Sequence, residues 1–161
     1  MSYLISLINY CPVKSLSFQN INSCEIRKDL GIMNDRIFAF SRIINFEKAQ
    51  SVEKNPNERK LNNFLTLKNS PILNKYNFNY KDNKLTLTLD GKELMSISPD
   101  EIEQRSLLTN KLVDLEKSLK KPILLLKNKE FPFYDTSHSD KVFNSISLIN
   151  LNSIKDFEKQ I

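Results

Sequence analysis

Glycine is nearly missing from this chain: Gly31 and Gly91 are the only two in 161 residues. A dinucleotide fingerprint or a P-loop needs clustered glycines so that backbone amides can approach phosphate, and neither can be built from an isolated pair. A single histidine, His138, excludes a multi-histidine metal site. The two cysteines, Cys11 and Cys24, are too few for a disulfide scaffold and lack C-x-x-C spacing, so both read as small buried thiols. No apolar run approaches the roughly 20 residues that span a bilayer; the stretch 123–126 is about the longest. The opening Met1-Ser2-Tyr3-Leu4-Ile5-Ser6 has no basic n-region and no small-residue cleavage site, which argues against secretion and for a cytoplasmic protein.

What is present is globular composition: 40% hydrophobic and 27% charged residues. The length allows one domain, or one complete domain and part of another. The net charge of +5 comes from 19 scattered lysines and only five arginines set among 19 acidic residues. Nucleic-acid modules concentrate such charge on one face or helix and interleave aromatic platforms with arginines, and neither pattern occurs here. A basic nucleic-acid-binding barrel therefore stands as the weakest of the functional readings.

Along the chain, residues 3–10 read as a strand ended by Pro12, 23–27 as a second strand, 31–35 as a loop and 36–40 as a third strand. The polar stretch 45–63 reads as a long surface loop or a poorly formed helix, and 64–67 as a short strand. Tyr76, Phe78 and Tyr80 alternate with Asn77 and Asn79, and Leu85, Leu87 and Leu89 with Thr86 and Thr88, the period of half-buried strands. With Asp90-Gly91 as a type I′ turn, residues 76–97 are expected to form a three-stranded antiparallel meander. Ser98-Pro99-Asp100-Glu101 has the form of a capping box and predicts a helix start. Leu108, Leu112, Leu115 and Leu119 follow on one face, and Pro122 is the expected stop. The run 123–126 reads as a buried strand, 127–141 as a loop, 145–149 as a strand, and 150–158 as a helix capped by Asn150 or Asn152. Ile154 and Phe157 of that last helix need a covering partner, and only a turn of sequence follows them. The second half therefore reads as unfinished.

Few residues offer chemistry. His138 lies in a polar loop among Ser137, Ser139 and Asp140, without a nucleophile elbow, and no pair of carboxylates stands out for acid–base work. Two segments remain: Tyr10-Cys11-Pro12-Val13-Lys14-Ser15-Leu16 and Gly31-Ile32-Met33-Asn34-Asp35-Arg36. Pro12 holds the chain extended, so Lys14 and Ser15 are presented from a stiff loop, and Asp35 can orient Arg36. Converging at one barrel mouth, Lys14, Ser15 and Arg36 would bind an oxyanion through a point charge, a hydroxyl donor and a bidentate fork. The alternative is an ordinary turn lysine and a surface Asp-Arg pair.

Y-x-P-V-K-S-L near the N-terminus, G-I-M-N-D-R after it, F-L-T-L-K-N-S-P further on and S-L-I-N-L-N-S-I-K-D-F-E at 147–158 occur in an order that resembles the MOSC proteins. These are the molybdenum-cofactor sulfurase C-terminal-like family, which includes the mitochondrial amidoxime reducing component. The resemblance covers essentially the whole chain. It implies a β-rich α+β fold: an N-terminal β-barrel domain at 1–98, a connecting helix and strand at 99–126, and the start of a MOSC domain, truncated, at 127–161. It implies binding of the molybdenum cofactor, completed by a C-terminal half, and by family association pyridoxal phosphate and molybdenum-ion binding. Family positions that contact the cofactor fall on Lys14, Ser15 and Arg36. Lys68 stands where the family more often has an arginine, and Thr136 and Ser137 fall in the segment that lines the cofactor pocket.

The family's metal-holding cysteine belongs far downstream of the 147–158 motif, and neither Cys11 nor Cys24 corresponds to it. The parent activity implied is an oxidoreductase that reduces small N-hydroxylated substrates with electrons from a redox-protein partner. This chain alone is expected to be inactive, with a second chain as one means of completing the domain. A non-catalytic carrier of pterin phosphate or another small anion is the alternative.

Overall fold

The computed structural model describes residues 4–28, 30–43, 45–119, 122–134, 146–147 and 149–159. In chain order its elements are β1 (Ile8–Tyr10), β2 (Gln19–Ile21), β3 (Ile26–Arg27), β4 (Gly31–Ile32), β5 (Phe38–Ser41), α1 (Phe46–Lys54), β6 (Tyr76–Lys81), β7 (Lys84–Leu89), β8 (Lys92–Ile97), α2 (Ile102–Leu115), β9 (Leu124–Lys127) and α3 (Leu151–Glu158), with three 3-10 turns between α1 and β6. The fold is mixed α+β. Its strands pair antiparallel as β1–β2, β3–β4, β5–β9 and β6–β7–β8. Among the described residues these are four small sheets and not one closed barrel. No helix among them is long and apolar enough to cross a membrane.

The meander β6–β7–β8 forms as its alternation predicts. Tyr76, Phe78, Tyr80, Leu85 and Leu87 face inward, while Asn77, Asn79 and Lys81 are exposed. Both turns use left-handed backbone, at Asp82 and Asn83 (φ 50° and 58°) and at Asp90 and Gly91 (φ 50° and 76°). Two such residues in a row give the twist that matches the flanking strands. Against this floor pack Val13, Leu16, Ile37, Phe38 and Phe40, with Leu108 and Leu112 of α2 and Leu125 of β9. Phe38 meets Tyr80 edge-on at 5.1 Å and Phe40 meets Phe78 at 5.5 Å, contacts each worth about 0.5–1.5 kcal/mol beyond burial.

β5 is buried on both sides, which is why it reads as a continuous apolar run rather than an alternating one. Phe38 and Phe40 serve the main core, and Ala39 serves a smaller cluster with Ala49, Val52, Phe64, Leu126 and Phe133. The β5–β9 pairing continues past its formal ends, through Asn128 N–H to Ile37 O (2.9 Å) and Phe133 N–H to Arg36 O (2.8 Å). That continuation brings residues 131–134 beside the loop that opens β5.

Several local expectations give way to tertiary contacts. The first strand spans only Ile8–Tyr10, and residues 23–27 hold a strand only at Ile26–Arg27. Residues 31–35 are not wholly a loop, because Gly31 and Ile32 pair with Arg27 and Ile26. Residues 64–67 contribute a single bridge, Phe64 to Ser41, rather than a strand. The polar stretch after 45 holds a capped helix: the Asn45 side chain accepts from the Lys48 amide, and Ala49 and Val52 are buried.

The capping box at 98–101 does not start α2. The helix begins at Ile102 behind Glu101, whose side chain makes no cap bond, while Asp100 is drawn into an ion pair with Lys127 of β9. Nor does Pro122 end it. α2 stops at Leu115, and Leu115 is 38% exposed while Leu108, Leu112 and Leu119 are buried. Of the strand expected at 145–149, residues 146, 147 and 149 are not in a strand and the rest lie outside the described residues. α3 forms as read, with Asn150 capping it by accepting from the Asn152 amide, and Ile154 and Phe157 are exposed.

Candidate anion-binding site

Pro12 cannot continue the β1 ladder, and the chain beyond it turns across the start of β5. Four backbone and side-chain bonds lace loop 11–16 to loop 33–36 and β5. Arg36 N–H donates to Cys11 O (2.6 Å), Phe38 N–H to Pro12 O (3.0 Å), Lys14 N–H to Phe38 O (2.8 Å), and Cys11 N–H to Asp35 Oδ1 (2.8 Å). The backbone is left-handed at Ser15 (φ 57°), Asn34 (φ 67°) and Arg36 (φ 53°). Asparagine tolerates that region, but a serine and an arginine each give up roughly 1–2 kcal/mol there. Strain of this kind persists only where surrounding bonds over-determine it, and it gathers at functional sites.

Arg36 is aimed rather than loose. Its Nη1 pairs with Asp35 Oδ2 at 2.7 Å, its guanidinium lies 5.4 Å from the Tyr134 ring centroid, and its side chain keeps 30% exposure. Among the described residues the guanidinium makes no other hydrogen bond. Asp35 is buried. Burial pushes its carboxyl up, the Cys11 amide and Arg36 guanidinium pull it back, and it ends above its ordinary value. Tyr134 is itself anchored, its hydroxyl donating to Leu30 O.

Lys14 takes a different position from the one its loop suggested. It is buried, and its Nζ donates to Phe133 O at 3.0 Å and lies 5.8 Å from the Phe64 ring centroid. Its ammonium is an interior charge behind the loop and not a side chain presented outward. Ser15 is half-buried at the strained turn between them. Lys68 is exposed in the turn held by Thr66 and Asn69, and it shares none of the contacts that join 11–16, 33–36 and 131–134. Thr136 and Ser137, like His138, lie outside the described residues.

Neither thiol suits a metal. Cys11 is buried and its Sγ donates to Val13 O at 2.8 Å; burial pushes it up to about 11, so it is a protonated thiol at neutral pH. Cys24 is half-buried, not buried as expected. Among the described residues no group of three His, Cys, Asp or Glu side chains could hold a metal ion.

Sequence reasoning missed Arg59 and the segment 131–134. Arg59 sits in the polar run Lys54-Asn55-Pro56-Asn57-Glu58-Arg59-Lys60, where nothing periodic separates a buried arginine from its solvated neighbours. The aromatic run Phe131-Pro132-Phe133-Tyr134 was the one signal available. Compared with protein-family models, with curated proteins and with solved structures, the chain finds no match.

Proposed function

We propose that this chain binds a phosphorylated small molecule at loops 11–16 and 33–36, with Arg36 as the directional donor and Lys14 as the fixed charge behind it. The observation that carries the reading is the Arg36 guanidinium, held by Asp35 on one nitrogen and by the Tyr134 ring on its face while it stays 30% exposed. Such a group is pre-organised for an oxyanion and loses little freedom on binding one. The backbone strain at Ser15 and Arg36 favours the same reading.

The MOSC resemblance gives that ligand a name: the molybdenum cofactor, whose phosphate is the end that suits Arg36 and Lys14. It would make the 1–98 region one half of a cofactor-clasping protein, whose parent enzyme reduces N-hydroxylated compounds with a redox partner. The metal end has no fitting donor among the described residues, because Cys11 is protonated and turned inward. The reading for this chain is therefore anion binding without turnover.

The test is thermal unfolding against inorganic phosphate. At hundredfold excess over Kd the gain is about 2.7 kcal/mol, a rise of roughly 5–10 °C for a chain of this size. Arg36→Ala should abolish the rise, while Lys68→Ala should leave it intact. An equal response in wild type and Arg36→Ala sinks the reading. Stoichiometric molybdenum with reductase turnover on the purified chain would replace it with a complete enzyme.

A further inference from the structure

We infer that Arg59 is a positioning residue of this anion site, acting through the segment 131–134 to set where both cations stand. The inference rests on the anion-binding reading for its function, and on contacts of its own for its geometry.

Arg59 is 2% exposed, an extreme for a charged side chain. Its guanidinium satisfies two groups of carbonyls at once. On one side Nε donates to Val52 O (3.1 Å) and Nη2 to Glu53 O (2.9 Å). These are last-turn carbonyls of α1 that the helix itself leaves unbonded. On the other side Nη1 donates to Phe131 O (2.7 Å) and Pro132 O (2.9 Å). The plane lies 4.0 Å from the Phe133 ring centroid. One side chain thus pins the irregular segment after β9 to the end of α1.

The residues next in sequence are the ones that touch the site. Phe133 O receives the Lys14 ammonium, Phe133 N–H donates to Arg36 O, and the Tyr134 ring faces the Arg36 guanidinium. Fixing carbonyls 131 and 132 therefore fixes, within two residues, a partner of each cation. Only arginine can do this, because its three nitrogens diverge in a plane toward both carbonyl groups, while a lysine ammonium is a single point. The arrangement is costly: burial brings Arg59 down to about 10, against the opposing Glu53 charge.

Arg59→Lys separates positioning from bulk stability when three readouts are taken together. These are the thermal midpoint, the phosphate Kd, and the rate at which a pulse of an amine-acylating reagent modifies Lys14, measured by peptide mass spectrometry against exposed Lys68. The expected result is a folded protein in which Lys14 acylation rises and phosphate binding weakens, each by about tenfold, the equivalent of about 1.4 kcal/mol. Arg36→Ala, by contrast, should weaken phosphate binding and leave Lys14 protected.

A lowered thermal midpoint with unchanged Lys14 protection and unchanged Kd overturns the inference. Should Arg59→Lys not fold, Phe133→Leu removes the ring stacked on the guanidinium but keeps the backbone acceptors. The same two readouts must then move in the same direction, or the inference fails. A wild type without any phosphate response refutes the anion reading, and Lys14 deprotection in Arg59→Lys still decides the geometry.

Discussion

At the scale of the residue, surroundings decide what each reactive group is. The Cys11 thiol is 2% exposed and donates to Val13 O, and burial holds it near 11, so the thiolate that would alkylate or ligate is scarce at neutral pH. In the folded protein iodoacetamide should modify half-buried Cys24 first, with Cys11 slower by at least about tenfold. Labelling of Cys11 should accelerate as pH is raised toward 11. Peptide mass spectrometry after timed quenching at pH 7 and pH 9 measures both rates. Equal rates at pH 7 would mean that the 11–16 loop opens freely. The sequence suggested buried thiols for both cysteines and was right for Cys11. Nothing local distinguishes Cys24, whose exposure depends on how the short β3–β4 pair sits.

At the scale of the element, the meander was legible because its signals are local. Alternation fixes which face is inward, and a turn pair that accepts left-handed backbone fixes the register. Gly91 has φ 76° and a Cβ placed there would meet nothing within 4 Å, so Gly91→Ala costs only backbone strain, about 1–2 kcal/mol. Leu87, with 0% exposure at the centre of β7, should cost about 2–5 kcal/mol on truncation to alanine. Urea titrations of the two variants should differ in midpoint by that margin with a common slope. A Gly91→Ala loss as large as that of Leu87→Ala would mean that the turn is not the one described. The start of α2 was less legible. Its capping signal was strong, but Asp100 finds Lys127 across 27 residues, and Glu101 is left at the helix entry without a side-chain bond.

At the scale of the whole molecule, buried charge sets the response to acid. Glu116 closes α2 and accepts from the Tyr76 hydroxyl at 2.6 Å and from the Lys75 ammonium. Burial pushes its carboxyl up, but those two donors outweigh it and bring it below the ordinary 4.5. A carboxyl lowered by folding contributes stability in full above its unfolded value and loses it as pH falls through the folded one. Asp35 acts in the opposite sense. Burial raises it, so the folded protein takes up that proton first, and stability from this group increases as pH falls toward the ordinary 3.8. Glu116→Gln should therefore be less stable than wild type at pH 7 yet lose less on passing from pH 5 to pH 3. Thermal midpoints of the two proteins across that range test it, and parallel curves would remove Glu116 from the account.

The sequence by itself determined what depends on neighbours along the chain. Two isolated glycines and a single histidine argued against glycine-loop phosphate motifs and multi-histidine metal sites. Alternation and turn residues built the meander, and Asn150 started α3. Only the tertiary structure decided where the charges went. Lys14 is turned inward, where Phe133 O, 119 residues away, accepts from it, and Arg59 is buried between the nearby carbonyls of Val52 and Glu53 and the distant ones of Phe131 and Pro132, which share one planar donor. A side chain's charge is written in the sequence, but its partner is chosen by packing. The free energy of a buried cation depends almost wholly on that partner.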